Sequence, residues 1–536
     1  MNTPTTQLLA HMVRTFADRE PDRDILTFEH LSLDGGATAD EVRTYADIAT
    51  NANGLAAALV ERGMERGDRF ALMMRNHPEF VEALVAASIT ATVAVPIDAR
   101  TKAEKLRYMI GDSGCSGVIC SDECLGELLA AVRGLPVIRW ILVLETGEGH
   151  AVQRNTKVPL TPLSAVLRDP VPTVDIRLES GRDPLQIVYT SGTTGDPKGI
   201  VYRNERTLSF SALGSVVGYR RDDRPYTGLS LTHGNAQTVT MGPALALGVR
   251  SVISRRFTKS RLWDVCRAYG VTTFSLLGGM ATALYSEPPR PDDADNPVRF
   301  VLDAGMPAAI WTDFERRFGV KILEWYGAME GGLAINPIGV GPVGSIGKPL
   351  PGTEMKILDD DDVECGPFVK GEICSRPEGG EAAPVEYHGN PAASRAKTRG
   401  GWLRSGDVGH TDERGWFFFD YRKGGGLRRN GDFINPGFVE KVIAEHEEVA
   451  DVFVYGVPAA SGAPGESDVV AAVVARDPEH FDSGSVFARC RDRLEPNFVP
   501  SFIQLVDEIP KTASEKPQER FLRREFDRDS PTVFGR

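Results

Sequence analysis

The residues best suited to chemistry follow an apolar segment, Leu185 to Tyr189. The loop from Thr190 to Gly199 combines three glycines, four hydroxyl side chains and Lys198. Glycines let backbone N–H groups approach phosphate oxygens, hydroxyls donate further hydrogen bonds, and a lysine adds positive charge. The spacing differs from GxxxxGK[ST], because Pro197 stands five residues after Gly192. The pattern therefore predicts a phosphate-binding loop of another type.

Further motifs follow this loop and precede it, and together they span nearly the whole chain. They are Gly67-Asp-Arg-Phe-Ala-Leu-Met-Met-Arg-Asn-His-Pro-Glu-Phe80, Ala94-Val-Pro-Ile97, Leu231-Thr-His-Gly234, Ala304-Gly-Met-Pro307, Tyr326-Gly-Ala-Met-Glu330, Ser405-Gly-Asp407, the segment 422–436 and Pro510-Lys-Thr-Ala-Ser-Glu-Lys516. In this order they resemble the adenylate-forming superfamily, which includes acyl-CoA synthetases, peptide-synthetase adenylation domains and beetle luciferases. The stretch around Arg428 is most similar to the carnitine-type CoA ligases.

This resemblance implies an AMP-forming acyl-CoA ligase that uses ATP, Mg²⁺ and CoA, with acyl-AMP as the bound intermediate and AMP as the product. Glu330 matches the carboxylate associated with magnesium. Lys516 matches the mobile lysine that reaches the substrate carboxylate and the α-phosphate. The positions that match nucleotide-binding residues of the family are Thr190, Ser191, Gly192, Thr193, Thr194, Lys198, Gly305, Met306, Pro307, Glu324, Tyr326, Met329, Asp407 and Arg422.

The same resemblance assigns the thioester-forming half of the reaction. Arg428 and His233 complete the catalytic set with Glu330 and Lys516, and His233 matches a gate between the acyl pocket and the thiol channel. Arg428, Arg429 and Gly431 match the loop that meets CoA. The residues expected around the acyl group are His233, Ala304, Gly305, Gly327, Gly331 and Gly332. Because most of them are small, we expect a roomy, apolar pocket for a bulky acid, and an enzyme of secondary metabolism.

Two residues depart from the family pattern. Met329 replaces a threonine whose hydroxyl would bond the α-phosphate, and Glu515 replaces a glycine beside Lys516. A carboxylate there competes for the lysine and repels triphosphate. Two alternatives therefore stay open beside a complete ligase. One is an adenylation-impaired enzyme that forms thioesters from acyl-AMP and CoA, and the other is a non-catalytic adenylate-binding relative.

The elements that must position these residues alternate between strand-like and helical patterns. Helical spacing over 45–62, 78–87 and 102–113 alternates with apolar strands at 69–74, 92–97 and 117–120. Such alternation predicts βαβ units and an α/β fold with largely parallel sheets. After residue 342 the pattern changes to short strands. We expect an N-terminal domain over 1–421 with a β-rich subdomain, a glycine hinge at 422–426 and a small mobile α+β domain over 427–536.

Composition excludes several function classes. The 536 residues include 61 basic and 74 acidic side chains, a net charge of −13 that disfavours nucleic acid and anionic membranes as partners. The seven cysteines form no CxxC pair, and the N-terminal residues lack a signal-peptide pattern. We expect a cytoplasmic monomer or homodimer whose partners are a small-molecule carboxylic acid and CoA. Leu231 to Asn235 offers no aspartate for an amino group and no carrier domain follows, which favours CoA over a carrier protein.

Overall fold

A computed structural model describes residues 8–135, 138–150, 157–167, 171–190, 196–277, 279–285, 287–306, 308–422, 427–434, 436–463, 465–510 and 519–536. Among these residues, no helix is both long and apolar enough to cross a lipid bilayer. All seven cysteines lie in the described ranges and carry free thiols.

The first 349 residues form two large sheets with helices around them. The strands are β1 Asp24–Glu29, β2 Glu41–Thr44, β3 Arg69–Met73, β4 Val93–Ile97, β5 Gly117–Ser121, β6 Trp140–Leu144, β7 Leu160–Pro162, β8 Pro184–Thr190, β9 Lys198–Arg203, β10 Pro225–Thr227, β11 Ser251–Ser254, β12 Thr273–Leu277, β13 Phe300–Ala304, β14 Ile322–Ala328, β15 Gly331–Asn336 and β16 Lys348–Pro349. The helices are α1 Leu9–Arg19, α2 Leu31–Asp34, α3 Tyr45–Glu61, α4 Pro78–Thr90, α5 Ala103–Ser113, α6 Asp122–Ala131, α7 Leu163–Leu167, α8 Leu208–Val217, α9 Gly242–Leu247, α10 Leu262–Tyr269, α11 Gly279–Tyr285 and α12 Ala308–Phe318.

One sheet has nine strands in the order β16-β15-β14-β13-β12-β10-β11-β1-β2, and the other has seven in the order β7-β6-β5-β3-β4-β8-β9. Strands in the middle of both sheets pair in parallel, while β2, β9, β15 and β16 add antiparallel edges. The largest core cluster joins residues of α1, α3 and α4 with Phe28 of the first sheet and Phe70 of the second. The helices therefore fill the space between the sheets, and the predicted α/β class is confirmed.

Local signals explain why the predicted elements are accurate. Thr44 begins α3 with a capping box, because its side chain accepts from the Asp47 N–H while the Asp47 carboxylate accepts from the Thr44 N–H at 2.8 Å. Pro78 stands at the first position of α4, where its missing N–H is harmless. The helix runs three residues beyond the predicted end and stops at Ala91, which adopts a left-handed conformation.

Residues 353–422 form a smaller antiparallel sheet, as the change of pattern predicted. Its elements are β17 Thr353–Leu358, β18 Gly371–Pro377, α13 Pro391–Lys397, β19 Leu403–Thr411 and β20 Phe417–Arg422, with sheet order β17-β18-β19-β20. Apolar residues of β17 and β18 pack against Ala334 of β15 and Phe417 of β20. The small sheet therefore lies against the edge of the nine-stranded sheet.

Residues after 427 build separate sheets with cores of their own. The elements are β21 Leu427–Arg429, β22 Asp432–Ile434, α14 Pro436–Ala444, β23 Val449–Pro458, β24 Ser467–Ala475, α15 Ser483–Arg493, β25 Phe502–Leu505, α16 Glu519–Glu525 and β26 Val533–Gly535. Strands β23 to β26 form one sheet, covered on its two faces by separate apolar clusters. The hinge predicted at 422–426 falls, apart from the Arg422 backbone, outside the described residues, so the domain boundary stays a prediction.

The C-terminal part packs against α5 through one buried ion pair. Lys105 Nζ lies 2.7 Å from Glu495 Oε1 and 4.8 Å from the centre of the Phe498 ring. Both charged side chains are mostly buried, which strengthens their attraction relative to a solvated pair. This contact joins α5 of the first domain to the segment that follows α15 in the C-terminal part.

Candidate functional site

A cavity of about 1270 Å³ lies where the nine-stranded sheet, the small sheet and the C-terminal hairpin meet. It collects most of the sequence-predicted site residues from distant parts of the chain. Those that line it are Thr190, Lys198, His233, Ala304, Gly305, Met306, Glu324, Tyr326, Gly327, Met329, Glu330, Gly331, Gly332, Asp407, Arg428 and Gly431. The site residues of the parallel strands β12, β13 and β14 lie toward the carboxyl ends of these strands, which is where such sheets bind ligands.

Several predicted residues do not join this set. Arg429 is turned toward its own domain, where its Nη1 donates to the Val499 carbonyl at 2.7 Å. Arg422 is described only by its backbone, which pairs with Asp407 across β19 and β20. Ser191, Gly192, Thr193, Thr194, Pro307, Glu515 and Lys516 lie outside the described residues. Their assigned roles stay predictions.

We call the part of the cavity around Lys198, Tyr326, Glu330 and Asp407 the Glu330 half. Lys397 Nζ lies 3.1 Å from Glu330 Oε1, and the Tyr387 hydroxyl donates to the same oxygen at 2.6 Å. Burial alone would raise the pKa of Glu330, but the Lys397 charge and the Tyr387 hydrogen bond lower it below its ordinary value. Glu330 is therefore a carboxylate at neutral pH.

This arrangement fits the predicted magnesium role. Both contacts fall on Oε1 of Glu330, and a single carboxylate together with substrate phosphates is a common way for proteins to hold Mg²⁺. Lys397 belongs to α13 and also donates to the Ser405 carbonyl at 3.2 Å. Neither Lys397 nor Tyr387 stands in a recognisable motif, and sequence reasoning missed both.

Asp407 on β19 is held in a fixed direction. The Tyr326 hydroxyl donates to Asp407 Oδ2 at 2.6 Å, and the Asp407 N–H donates to Ser405 Oγ at 2.9 Å. Asp407 is 5% exposed, so few water molecules compete for its oxygens. A buried, oriented carboxylate can accept hydrogen bonds from two neighbouring hydroxyl groups, which suits the predicted role of Asp407 in nucleotide binding.

Glu324 supports the backbone of the site. Its carboxylate accepts the N–H groups of Gly305 at 2.6 Å and Met306 at 3.2 Å. Burial raises the pKa of Glu324, with a further contribution from neighbouring Asp303. Gly305 adopts φ of 107°, a conformation that favours glycine. The backbone of Gly305 and Met306, which are predicted to bind the nucleotide, is thus fixed by Glu324, a residue that itself lines the cavity.

Met329 packs against Gly234, the residue that follows His233 in the chain. A Cβ added to Gly234 would lie 2.1 Å from the Met329 sulfur, so a larger residue there would displace the methionine side chain. The Met329 carbonyl accepts from the Tyr202 hydroxyl at 2.7 Å. Burial and then the nearby charge of Arg428 lower the pKa of His233 to about 4. His233 is therefore a neutral imidazole at physiological pH.

The C-terminal hairpin reaches the site through Gly431. Gly431 has φ of 82°, and a Cβ there would lie 3.1 Å from Leu277 at the end of β12. Glu466 holds the hairpin, since it accepts the Gly431 N–H at 3.2 Å and lies 3.4 Å from Arg428 Nε. Sequence reasoning missed Glu466, which lies 35 residues away in the chain.

We call the part around Asn235, Leu277, Ala304 and Trp325 the Ala304 half. Gly331 and Gly332, predicted to lie around the acyl group, line the cavity. A Cβ on Gly331 would lie 3.1 Å from Leu403, and one on Gly332 would lie 2.7 Å from Ser375 Oγ. Their small size therefore also allows close packing on the neighbouring small sheet. Their place around the acyl group stays a prediction.

Comparison with known proteins gives two family matches. The model of the AMP-binding enzyme family matches residues 13–380, and that of the AMP-binding enzyme C-terminal domain matches residues 439–516. The chain is 27% identical over 489 residues to a crotonobetaine/carnitine–CoA ligase of Salmonella paratyphi B, covering 88% of this chain and 91% of that protein.

Two further similarities cover almost the full length. A steroid-22-oyl-CoA synthetase of Rhodococcus jostii is 26% identical over 541 residues, covering 95% of this chain and 92% of that protein. The structure of an o-succinylbenzoate CoA synthetase double mutant from Bacillus subtilis, bound to a product analogue, superposes with a TM-score of 0.78 at 22% identity. It covers 98% of this chain and 99% of that one. At this identity the superposition shows a shared fold.

Proposed function

Because the chain belongs to the AMP-binding enzyme family, we propose that it is an AMP-forming acyl-CoA ligase. The predicted family is thereby confirmed. The reaction joins a carboxylic acid to ATP with release of pyrophosphate, and then transfers the acyl group from AMP to the CoA thiol. The observation that supports this function best is a single cavity that carries an oriented Asp407–Tyr326 pair, the Glu330 carboxylate and the Gly431 hairpin.

The Glu330 half suits the first step. The substrate carboxylate attacks the α-phosphorus, and negative charge builds up on the phosphate oxygens. Thr190 and Lys198 line the cavity where these oxygens would bind, and Lys516 would supply a second cation. Asp407 would accept the ribose hydroxyls. Bound Mg²⁺, held by Glu330 and the phosphates, would neutralise part of the charge.

The second step suits the hairpin side of the cavity. The CoA thiol would enter beside Gly431, where the absence of a side chain leaves backbone against the passage. His233 is neutral at physiological pH, so it neither attracts the adenylate phosphate nor adds charge to the thiol passage. The sulfur would attack the acyl carbon, and AMP would leave. Arg428 and Gly431 line the same cavity, which supports their proposed contact with CoA.

The substrate class is proposed from the size of the cavity and from relatives. About 1270 Å³ is more than the several hundred Å³ of a typical ligand pocket and fits an adenylate together with a large acyl group. A relative named steroid-22-oyl-CoA synthetase matches nearly the whole chain. We therefore propose a bulky alicyclic or aromatic acid.

The cellular setting is also part of the proposal. The net charge of −13 and the absence of a spanning helix among the described residues support a cytoplasmic enzyme whose partners are small molecules rather than nucleic acid or membrane. We propose a monomer or homodimer that acts in secondary metabolism.

The decisive experiment is a panel of alicyclic, aromatic and fatty acids assayed in two ways. Pyrophosphate release with ATP and Mg²⁺ reports the first step, and CoA thioester formation reports the second. A complete ligase gives both signals with the same acids. Thioester from synthetic acyl-AMP without acid-dependent pyrophosphate would identify the adenylation-impaired alternative. Failure of both assays with every acid would contradict the ligase proposal.

A further inference from the structure

The positive charges in the cavity wall are mostly balanced by the chain itself. Most of the lysines and arginines that line the cavity form an ion pair with an aspartate or a glutamate. Lys198, Arg206 and Arg256 line it without an ion pair to any carboxylate that the structure describes. Lys198 belongs to the predicted phosphate-binding loop, and Arg256 is exposed. Arg206 is half-buried, so its charge is partly removed from water with no carboxylate to balance it.

The guanidinium of Arg206 is held in place by an aromatic ring. Its Cζ atom lies 3.8 Å from the centre of the Tyr202 ring. Tyr202 is itself fixed, because it is 5% exposed and its hydroxyl donates to the Met329 carbonyl at 2.7 Å. Stacking on a ring occupies the face of a guanidinium and leaves the N–H groups at its edge for an anion. Arg206 is therefore oriented before a ligand arrives.

Strand register separates Arg206 from the phosphate-binding loop. In the pair of β8 and β9, Thr190 lies opposite Lys198, and Gln186 lies opposite Tyr202. The Tyr202 end of β9 is about 13 Å from the Lys198 end, because each residue of a strand rises about 3.3 Å. Arg206 stacks on the ring at this distant end. Its position suits a part of the substrate other than the ATP phosphates.

Arg206 shares one helix face with the acyl side of the cavity. Arg206, Ser209 and Leu213 all line the cavity, and their spacing of three and four residues places them on one face of the helical segment that leads into α8. Leu213 and Trp325 pack against the same apolar cluster, so this face continues the wall of the Ala304 half. Arg206 lies about 10 Å from Leu213 along the helix, since each residue rises about 1.5 Å.

We propose that Arg206 binds a second acidic group of the substrate, at the end remote from the carboxyl group that is activated. This inference rests on the proposed ligase function and narrows its substrate class to a bulky dicarboxylic acid. The distal carboxylate would form the ion pair that the described chain does not supply. An acid with a hydrocarbon end would displace water from the Arg206 charge without providing a partner, so it should react less well.

The test compares acids that differ only at their distal end. Each set contains a hydrocarbon acid, the matching dicarboxylic acid and the monomethyl ester of that dicarboxylic acid, which keeps its shape without the second charge. The shorter set is built on cyclohexanecarboxylate and trans-cyclohexane-1,4-dicarboxylate, and the longer set on biphenyl-4-carboxylate and biphenyl-4,4′-dicarboxylate. The value of kcat/KM for pyrophosphate release is measured with the native protein. We expect at least one dicarboxylate to exceed both of its neutral analogues by about 10- to 100-fold.

Variants at Arg206 assign the preference to its charge. Arg206→Gln should bring the dicarboxylate-to-hydrocarbon ratio close to one, whereas Arg206→Lys keeps the charge and should retain part of the preference. Arg256→Gln is the matched control, because Arg256 also lines the cavity without a carboxylate partner in the described part of the chain, and it should keep the ratio. Undiminished activity of Arg206→Gln with the hydrocarbon acid, together with its thermal unfolding, verifies that the variant is folded.

The possible outcomes separate this inference from the ligase proposal. Equal kcat/KM values within every set would overturn the inference while leaving the ligase function intact. A dicarboxylate preference that survives in Arg206→Gln would also overturn it. If Arg206→Gln raises the KM for ATP with every acid and keeps the ratio, the arginine serves the nucleotide and the inference is wrong. If no acid of any class releases pyrophosphate or forms a thioester, the ligase proposal fails, and this inference fails with it.

Discussion

The two halves of the cavity differ in how their polar groups are satisfied. In the Glu330 half, Glu330 is paired with Lys397 and Tyr387, and Asp407 is paired with Tyr326. In the Ala304 half, the donors of Asn235 and Trp325 have no acceptor among the described residues. A site built for one constant ligand can be fully preorganised by its own side chains. The Glu330 half is therefore preorganised by contacts within the chain, whereas the Ala304 half buries donors whose missing hydrogen bonds lower the stability of the fold.

The largest expected effect comes from removing Lys516, the cation proposed to serve the first half-reaction. Lys516→Ala should lower acid-dependent pyrophosphate release by about 10²- to 10³-fold, because one electrostatic stabiliser of the transition state is lost. Thioester formation from supplied acyl-AMP should change little. The two rates are measured separately in single-turnover assays. An equal fall in the rates of both half-reactions would show that Lys516 serves both steps, and would contradict its assignment to the first step alone.

A second prediction concerns how a buried carboxyl group without a hydrogen-bond partner in the described structure lowers the free energy of unfolding. Asp303 is fully buried, both of its oxygens lack a hydrogen-bond partner in the described structure, and burial raises its pKa to about 8 against the opposing charge of Arg428. The unfolded chain has the ordinary value near 4. Between these values the folded state binds the extra proton, so the free energy of unfolding falls as pH rises from about 4 to about 8.

Asp303→Asn cannot ionise and should escape this loss. Its free energy of unfolding relative to the native chain should rise by about 1.4 kcal/mol per pH unit within that window and level off above pH 8. Urea titrations at pH 5.5, 6.5 and 7.5 measure the difference. Parallel pH profiles for the two proteins would show that Asp303 is already ionised and stabilised in the fold.

A smaller effect is expected when the hydrogen bond that orients Asp407 in the Glu330 half is removed. Tyr326→Phe removes the hydrogen bond to Asp407 Oδ2 and frees the carboxylate to rotate. Hydrogen bonds to charged groups contribute about 1.5–3 kcal/mol, so the KM for ATP should rise about tenfold or more. The preference among acids should be unaffected, because Tyr326 contacts Asp407 on the Glu330 half. A changed acid preference would mean that the halves are coupled.

The smallest effect concerns the ion pair that joins α5 to the segment after α15 of the C-terminal part. Lys105→Met keeps the apolar stem against Phe498 but removes the ion pair with Glu495. Partly buried pairs of this kind contribute about 1 kcal/mol, so thioester formation from acyl-AMP should fall about threefold to fivefold. Pyrophosphate release should not fall. A fall in pyrophosphate release alone would show that the orientation of the C-terminal part seen here, with Lys105 paired to Glu495, serves the first step.

Much of the candidate site is visible in the sequence because its signals are local. Thr190 to Gly199 combines glycine, hydroxyl and lysine within ten residues, and Tyr326 to Glu330 and Ser405 to Asp407 are short motifs in a fixed order. The alternation of apolar strands with helical spacing is local as well, which is why α3, α4 and the parallel strands agree with expectation. These features identified the family and the fold class.

The tertiary structure decided which side chains complete those motifs. Lys397 and Tyr387 contact Glu330, although they lie 67 and 57 residues further along the chain. Glu466 lies in the connection between β23 and β24 and accepts a hydrogen bond from Gly431 of the hairpin. Strand pairing sets Leu277 beside Ala304 and Asp303 beside Glu324, and the Ser275 hydroxyl donates to Asn235 from 40 residues further along the chain. No local pattern marks such contacts, since each arises when distant strands pair and bury polar groups together. The sequence by itself determined the family and the short motifs of the Glu330 half, whereas only the packed strands decided which distant side chains pair with those motifs and which buried donors have no acceptor among the described residues.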